Sequence, residues 1–430
     1  MNYLDHAATT PIRESAADAW ANHSQIVGNP SSIHGAGREA RRIVEDSRET
    51  IAEILGVHPT DVIFTSGGTE ANNMAILGMA RAQREDNPNR NQILVSPVEH
   101  HSVLDAAYWL VNDGFSVLDL VVRSDGSVDY DSTTDLVDRH HSSLALGSCM
   151  WVNNEIGTIT DIPSIGDLFG SRSIPFHCDA IQAGSLLVHG SRCPGSFSIS
   201  AHKVGGPMGI GALILPRGTK LTPISFGGGQ EKKLRSGTIP VALVAGFAQA
   251  LVEARTQAEV EYSRITHLAT RLRQILLDVG AQVVPNHGDT GPQIPFAMGV
   301  DAKDCELRSG FGATGGTQLH NCGKVTEESG SFWEKKEHGS HHSSITYALF
   351  EGCRGQDLVQ LLDAQGIFVS TGAACTAGIP QPSHVLLALG YTEVQALTGL
   401  RFSLGWPTTD EDLDALADGL PKALTQARTL

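Results

Sequence analysis

The first two thirds of the chain alternate short apolar runs with helical patterns, and this alternation constrains the fold more than any other feature. Val62–Thr65 has the pattern of a buried strand, and a polar, glycine-rich turn and a helical stretch over 71–82 follow it. Further strands are predicted at 92–96, 148–152, 175–178, 196–200 and 211–215. The alternation is typical of an α/β fold with a mostly parallel sheet, in which ligands bind at the carboxyl ends of the strands.

The chain length and a second helical region predict two domains. A chain of 430 residues can bury more than one core. A long helical pattern begins near Ala254, and we place the boundary there. Residues 16–255 then form a large domain with helices on both faces of its sheet. Residues 1–15 and 256–430 form a smaller α+β domain.

Composition and charge narrow the class of protein. The 47 acidic residues outnumber the 31 basic ones, and the resulting net charge of −16 disfavours direct nucleic-acid binding. The N-terminus has no signal-like pattern and no run of 18 apolar residues occurs, so we expect a cytoplasmic protein without membrane contact. The seven cysteines are scattered and odd in number, which does not indicate a disulfide framework and leaves room for a nucleophile.

Two charged residues follow predicted strands directly. Lys203 comes after strand 196–200 and before a glycine-rich turn, where it could form a Schiff base with an aldehyde cofactor. A lone lysine after a strand is more often a solvated side chain. Asp179 ends strand 175–178, and a buried carboxylate there could pair with a protonated pyridine nitrogen. The alternative for Asp179 is an ordinary helix N-cap.

Two further strand ends complete a candidate site. The sequence SGGTE over 66–70 opens a helix whose free N–H groups suit a phosphate dianion, although its spacing is not that of a P-loop. His100 could stack on an aromatic ring, or could be an ordinary surface or core histidine. Together, a phosphate cup, a ring-stacking histidine, a pyridine partner and a Schiff-base lysine predict one site for pyridoxal 5'-phosphate (PLP).

Seven motifs in order along the chain resemble those of one enzyme family. They are YLDHAATTP (3–11), GNPSSIH (28–34), TSGGTEANN (65–73), VNNEIG (152–157), RSGT (235–238), CT (375–376) and RFSLG (401–405). In these the chain resembles the cysteine desulfurases that supply nitrogen fixation and iron–sulfur-cluster assembly. The resemblance implies a fold-type I PLP-dependent transferase of aminotransferase class V, and it covers nearly the whole chain except about 303–344.

The resemblance also implies a role for each matching residue. Lys203 would bind PLP covalently, His100 would stack on the ring and move protons, and Asp179 would pair with the pyridine nitrogen. Asn154 and Arg401 would bind the carboxylate of the substrate L-cysteine, a task suited to a planar guanidinium. The remaining PLP contacts would come from Gln182 at the phenolic oxygen, from Gly68, Thr69, Ser200 and His202 at the phosphate, and from Thr238 of the partner subunit in a homodimer.

The catalytic nucleophile implied by the resemblance is Cys375, in the glycine- and alanine-rich sequence STGAACTAG over 370–378. Such a loop would let the sulfur reach the substrate and then carry a persulfide outward. The products would be L-alanine and the persulfide, which an acceptor of unknown identity would receive for iron–sulfur clusters or for thiolation of tRNA, DNA or cofactors. A selenocysteine lyase or an aminotransferase on the same fold is the alternative.

The segment 303–344 departs from the family pattern as an insertion of a few dozen residues. It contains the potential metal ligands His320, Cys322, His338, His341 and His342, but their spacing matches no standard zinc site. We therefore assign no metal to the chain. A surface for docking a sulfur acceptor, or a lid over the Cys375 loop, is the preferred interpretation of the insertion.

Overall fold

The computed structural model describes residues 2–285, 340–341, 344–372 and 381–429. The strands are β1 Asn2–Tyr3, β2 Val62–Thr65, β3 Gln92–Val95, β4 Ser116–Asp119, β5 Leu144–Ser148, β6 Thr158–Ile159, β7 Phe176–Asp179, β8 Ser196–Ser200, β9 Gly211–Ile214, β10 Gln282–Val284, β11 Ser340–His341, β12 Ile345–Leu349, β13 Ile367–Phe368 and β14 Gly399–Ser403. The α-helices are α1 Glu14–Ser24, α2 Gly35–Leu55, α3 Gly68–Asp86, α4 His101–Trp109, α5 Tyr130–His140, α6 Ile162–Ser171, α7 Gly184–Val188, α8 Val241–Asp278, α9 Gly355–Asp363, α10 His384–Ala388, α11 Glu393–Ala396 and α12 Asp410–Ala427.

A seven-stranded sheet in the order β2-β9-β8-β7-β5-β3-β4 forms the centre of the large part of the molecule. The strands from β8 through to β4 pair in parallel, and only β9 runs antiparallel to its neighbours β2 and β8. Strands β2, β5, β7, β8 and β9 are buried at every position, as expected for a sheet covered by helices. The predicted mostly parallel sheet is confirmed.

A three-stranded antiparallel sheet, β10-β12-β14, lies in a second hydrophobic core. Helices α9 and α12 pack on each other beside it, and the short β1 pairs with β13 in parallel. The N-terminal strand therefore joins elements from the C-terminal third. Arg401 lies in β14 opposite Tyr347 of β12, so this sheet carries a residue of the candidate site.

Helix α8 contributes to both cores. Its residues from Val244 to Ala258 pack in the core of the large sheet, and those from Ile265 to Leu276 pack in the second core. The helix begins at Val241, well before the predicted start near Ala254. Its first turns are buried almost all round, and a helix without a polar face has no amphipathic pattern to mark its beginning. The predicted boundary at 255–256 thus falls inside one continuous helix.

The strand predicted at 148–152 was wrong, because β5 occupies Leu144–Ser148. Residues 149–152 are buried, and Cys149 and Trp151 donate to backbone carbonyls of His177 and Asp179 without forming a ladder. A run of apolar residues predicts that a segment is buried, but it does not predict that the segment forms a strand. The other predicted strands of the sheet lie within one residue of their observed bounds. Among the described residues, no helix combines the length and the apolar character needed to cross a membrane.

Candidate active site

The turn between β2 and α3 forms a cup of backbone N–H groups. Gly67 is the N-cap of α3 with φ of 153°, a conformation that favours glycine, and a Cβ on Gly68 would come within 2.1 Å of Ile181 Cδ1. Thr69 is exposed in the first turn of the helix. Beside the cup, the buried Ser200 Oγ has no hydrogen-bond partner among the described residues. A helix N-terminus next to an unsatisfied hydroxyl suits a phosphate.

Asp179, at the end of β7, is 3 % exposed and belongs to a buried polar network. Its Oδ2 accepts from Asn72 Nδ2 at 2.8 Å, and its Oδ1 accepts from the Ile181 N–H at 3.0 Å. Burial raises the pKa of Asp179, although His100, these hydrogen bonds and Lys203 oppose that shift. A cationic ring nitrogen would stabilise this carboxylate further.

Asn72 connects Asp179 to two histidines. Its Oδ1 lies 3.0 Å from Nε2 of the buried His177, and burial lowers the pKa of that imidazole to about 3, so it is neutral. Its Nδ2 also donates to Ser102 Oγ at 2.8 Å, and this hydroxyl lies 2.8 Å from His100 Nδ1. The network therefore positions both the proposed ring stacker and the proposed pyridine partner.

His100 is the N-cap of α4, with its side chain exposed beside the strand ends. The Ser102 backbone N–H donates to His100 Nδ1 at 3.1 Å. Because Nδ1 accepts this bond, the hydrogen of the neutral ring is on Nε2.

Lys203 closes the site from the turn after β8. Its Nζ donates to the backbone carbonyls of Ala7 and, at 2.9 Å, of Ala8. Burial, with help from Arg401, lowers the pKa of Lys203 to about 8, although Asp179 and Asp5 oppose the shift. A lysine with this pKa is partly neutral near pH 7, which makes it a nucleophile toward an aldehyde.

The N-terminal segment 5–10 also contacts two other predicted site residues. Gln182 Nε2 donates to the Ala7 carbonyl at 2.8 Å, and His202 Nδ1 lies 3.1 Å from Thr9 Oγ1. Burial, with a smaller effect of Lys203, lowers the pKa of His202 to about 4. This segment is thus a wall of the site.

Arg401 lies next to this N-terminal segment. Its Nη2 donates to Asp5 Oδ1 at 2.7 Å, and its Nη1 donates to the Asn154 carbonyl at 2.9 Å. The side chain of Asn153 accepts from the N–H groups of Glu155 and Ile156, which fixes the turn that carries Asn154. The structure therefore brings Arg401 and Asn154 into contact, as their predicted common role requires.

Some predicted site residues are not brought together in the described chain. Thr238 is exposed, while its neighbour Arg235 forms a salt bridge with Glu70 of α3 at 2.9 Å. Cys375 lies outside the described residues, as do His320, Cys322, His338 and His342 of the insertion. Within the predicted insertion the structure describes Ser344 and the backbone of Ser340–His341, which pairs with β6. The described residues contain no group of His, Cys, Asp and Glu arranged to hold a metal ion.

Two residues at the site had no role assigned from the sequence. Asn72 is fully buried in α3 among Ala71, Met74 and Ala75, and an asparagine at a core position of a helix was the available signal. Asp5 stands in a short segment of mixed polarity, where no local pattern marks it. Both lie within motifs that carried the family resemblance.

Comparison with known proteins places the chain in a family. The model of the class-V aminotransferase family matches residues 2–294 and 328–416, and the unmatched stretch overlaps the predicted insertion. An IscS-like cysteine desulfurase of Mycobacterium tuberculosis is 39 % identical over 431 aligned residues, covering 100 % of this chain and 97 % of that protein.

Solved structures agree with this match. A NifS-like protein superposes with a TM-score of 0.76 at 26 % identity, covering 99 % of both chains. DndA from Streptomyces lividans superposes with a TM-score of 0.68 at 31 % identity, covering 93 % of this chain and 99 % of its own. With the full-length match to curated desulfurases, these likenesses show that the chain belongs to the class-V aminotransferase family and, within it, to the cysteine desulfurases.

Proposed function

We propose that this protein uses PLP to remove sulfur from L-cysteine, releasing L-alanine and retaining the sulfur as a persulfide on Cys375. The observation that carries the proposal is the convergence of Lys203, Asp179 and Arg401 on one site. Family membership fixes the reaction class, and these residues supply a cofactor lysine, a ring partner and a carboxylate ligand.

The described residues fit PLP on three independent grounds. Ser200 Oγ is a buried hydroxyl without a partner in the described chain, next to the N-terminus of α3, where a phosphate would be bound. Asp179 is a buried carboxylate at the end of β7, the strand that pairs directly with β8, which ends at Ser200. Lys203 has a pKa lowered to about 8 and lies in the turn that directly follows Ser200. Gly68, Thr69, His202 and Gln182 would complete the contacts to PLP.

When bound, PLP supplies an electron sink that stabilises negative charge at the α-carbon of an amino acid. Asp179, held by Asn72 and the Ile181 N–H, would keep the pyridine nitrogen protonated. His100 would present its ring and its Nε2–H beside the cofactor. These groups are oriented before any ligand arrives, so their orientation costs little during the reaction.

Lys203 would serve both as the covalent anchor and as a proton carrier. The pKa of its Nζ, lowered to about 8, is close to that of a good general base at neutral pH. Its Nζ would take the α-proton of the substrate. Arg401 and Asn154 would hold the substrate carboxylate and so orient that proton.

Cys375 would act as the nucleophile through its thiolate, because the thiol is a poor nucleophile. The thiolate attacks the sulfur of the substrate, an S–S bond forms and the carbon–sulfur bond breaks. The electron pair of the broken bond remains on carbon, which then takes a proton and leaves as L-alanine. The persulfide on Cys375 would pass its terminal sulfur to an acceptor that the site does not identify.

The proposed homodimer would place Thr238 of one subunit at the phosphate of the other. Its exposure in the single chain, together with the exposed Phe226 at 85 %, leaves this region available for a second copy. We also propose a cytoplasmic location for the protein and a role for the insertion in docking the sulfur acceptor.

The test is to measure L-alanine and sulfide release from L-cysteine in the presence of a reducing thiol. The wild type should yield both products one-for-one, and Cys375→Ala should yield almost none while retaining bound PLP. Cys193→Ala is the control, since it removes a partly buried thiol to which no role is assigned. Full activity of Cys375→Ala, or transfer of the amino group to give a keto acid, would contradict the proposal.

A further inference from the structure

Arg401 has a partly satisfied guanidinium in a buried position. The side chain is 6 % exposed, and its two terminal nitrogens donate to Asp5 Oδ1 and to the Asn154 carbonyl. Its Nε is buried and has no hydrogen-bond partner among the described residues. The Nε–H is therefore a donor still available for an acidic ligand.

Asp5 is fixed at this point by its own backbone. It forms a bridge to Ser403, two residues beyond Arg401 in the sequence, and its carbonyl accepts from the Tyr3 hydroxyl at 3.1 Å. The Asp5 side chain is 21 % exposed, so the ion pair with Arg401 is largely shielded from water. An arginine buried to this extent requires a counter-charge, and Asp5 provides it without any ligand.

We propose that Asp5 is the resident counter-ion of Arg401 and that it lowers the affinity of this subsite for ligand carboxylates. The inference rests on the proposed role of Arg401 in binding the α-carboxylate of the substrate. A carboxylate that binds at Nε shares one guanidinium with Asp5, and the two negative charges repel each other. Asp5 thus stabilises the ligand-free protein and favours departure of the product L-alanine.

The substitution Asp5→Asn distinguishes the effect of the negative charge of Asp5 from that of its hydrogen bond to Arg401. The amide oxygen of asparagine can still accept from Nη2, but the negative charge is gone. With the competing charge removed, the holoenzyme should bind L-alanine about tenfold more tightly. Ethylamine, which lacks the carboxylate, should bind equally well to both proteins. The ligand-free variant should unfold at a lower temperature than the wild type, because Arg401 has lost its counter-charge.

The experiment is isothermal titration calorimetry of the PLP-loaded wild type, Asp5→Asn and Asp18→Asn with L-alanine and with ethylamine. Asp18 is an exposed residue of α1, so its substitution controls for the change in net charge. Asp5→Ser, which also removes the negative charge, is the second variant should the asparagine protein fail to fold. The proposal expects stronger L-alanine binding together with lower ligand-free stability.

Unchanged or weaker L-alanine binding in the Asp5 variants would overturn the proposal, as would an equal change for both ligands. A purely structural role would lower stability and affinity together, which is the opposite pattern. Calorimetry does not depend on turnover, so the inference is separable from the proposed function. The wild type could release no alanine from L-cysteine while L-alanine binding still depends on Asp5. That result would contradict the proposed function but support the role of Asp5 as counter-ion of Arg401.

Discussion

The two halves of the candidate site are held in different ways. On the seven-stranded sheet, Asp179 is fixed by hydrogen bonds from Asn72 and from a backbone N–H. On the three-stranded sheet, Arg401 is fixed by a carboxylate and a carbonyl, and it keeps a buried N–H without a partner in the described chain. Asp179 is therefore oriented mainly by neutral donors, whereas the positive charge of Arg401 is balanced by a carboxylate. The polar groups of the proposed ring subsite are thus held by hydrogen bonds, and the proposed carboxylate subsite keeps one donor for a second anion beside Asp5.

The largest effect should come from the charged half. Arg401→Lys replaces the fork of donors by a point charge, so the KM for L-cysteine should rise about 10- to 100-fold through loss of a charge-assisted hydrogen bond. Bound PLP and its visible spectrum should not change. Steady-state release of alanine measures the KM, and visible absorbance measures the bound PLP.

Arg354→Lys is the control for this prediction. Arg354 is 77 % exposed and pairs only with Asp357 in its own helix region among the described residues. Its substitution should leave KM unaltered. Loss of PLP from Arg401→Lys would contradict the prediction, because it would show that the two halves of the site depend on each other.

A smaller effect is expected from the neutral half. Asn72→Ala removes the partner of Asp179, His177 and Ser102, and unsatisfied buried groups should lower the free energy of unfolding by about 1–3 kcal/mol. The affinity for PLP should decrease, whereas the KM of the PLP-loaded enzyme for L-cysteine should not change. Urea denaturation and PLP titration are the measurements.

The adjacent Asn73 provides the matched control in the same helix. It is only partly buried, and its amide donates to the backbone carbonyls of Thr69 and Ser102. Asn73→Ala should cost less than about 1 kcal/mol. Equal losses in the two variants would mean that the Asn72 network has no special part in holding the ring subsite.

The smallest effect concerns the pH dependence of that network. The pKa of His177 is lowered by burial from 6.5 to about 3, so the unfolded chain binds a proton in this range that the folded protein excludes. Stability should therefore be unaffected by this group above pH 6.5 and should fall as the pH drops toward 3. The loss should be about 1 kcal/mol between pH 7 and pH 5.5.

Urea denaturation of the wild type and of His177→Gln between pH 7 and pH 5.5 tests the direction of this change in stability. Glutamine can still bond to Asn72 but does not titrate there, so its stability should fall less steeply with decreasing pH. Parallel curves for the two proteins would show that His177 is not the group responsible.

Much of the fold and part of the site could be predicted from the sequence. The strand–turn–helix alternation predicted the mostly parallel sheet. Asp179, Lys203 and His100 were chosen as candidates because each ends a strand or lies in the turn after one. Such positions are local, and parallel strands bring their carboxyl ends to one edge. The beginning of α8 and the position of β5 were missed, because burial on all sides removes the periodicity that marks an element.

The sequence by itself determined the sheet, the family and the residue types of the site, because these depend on local patterns and ordered motifs. Only the tertiary structure decided that Asn72 joins His100 to Asp179, and that Asp5 pairs with Arg401 across 396 positions of the chain. Contacts of that kind arise when separate elements pack, here β1 beside β13 and β12 beside β14. The charge balance of a buried subsite is a property of that packing, and no local pattern encodes it.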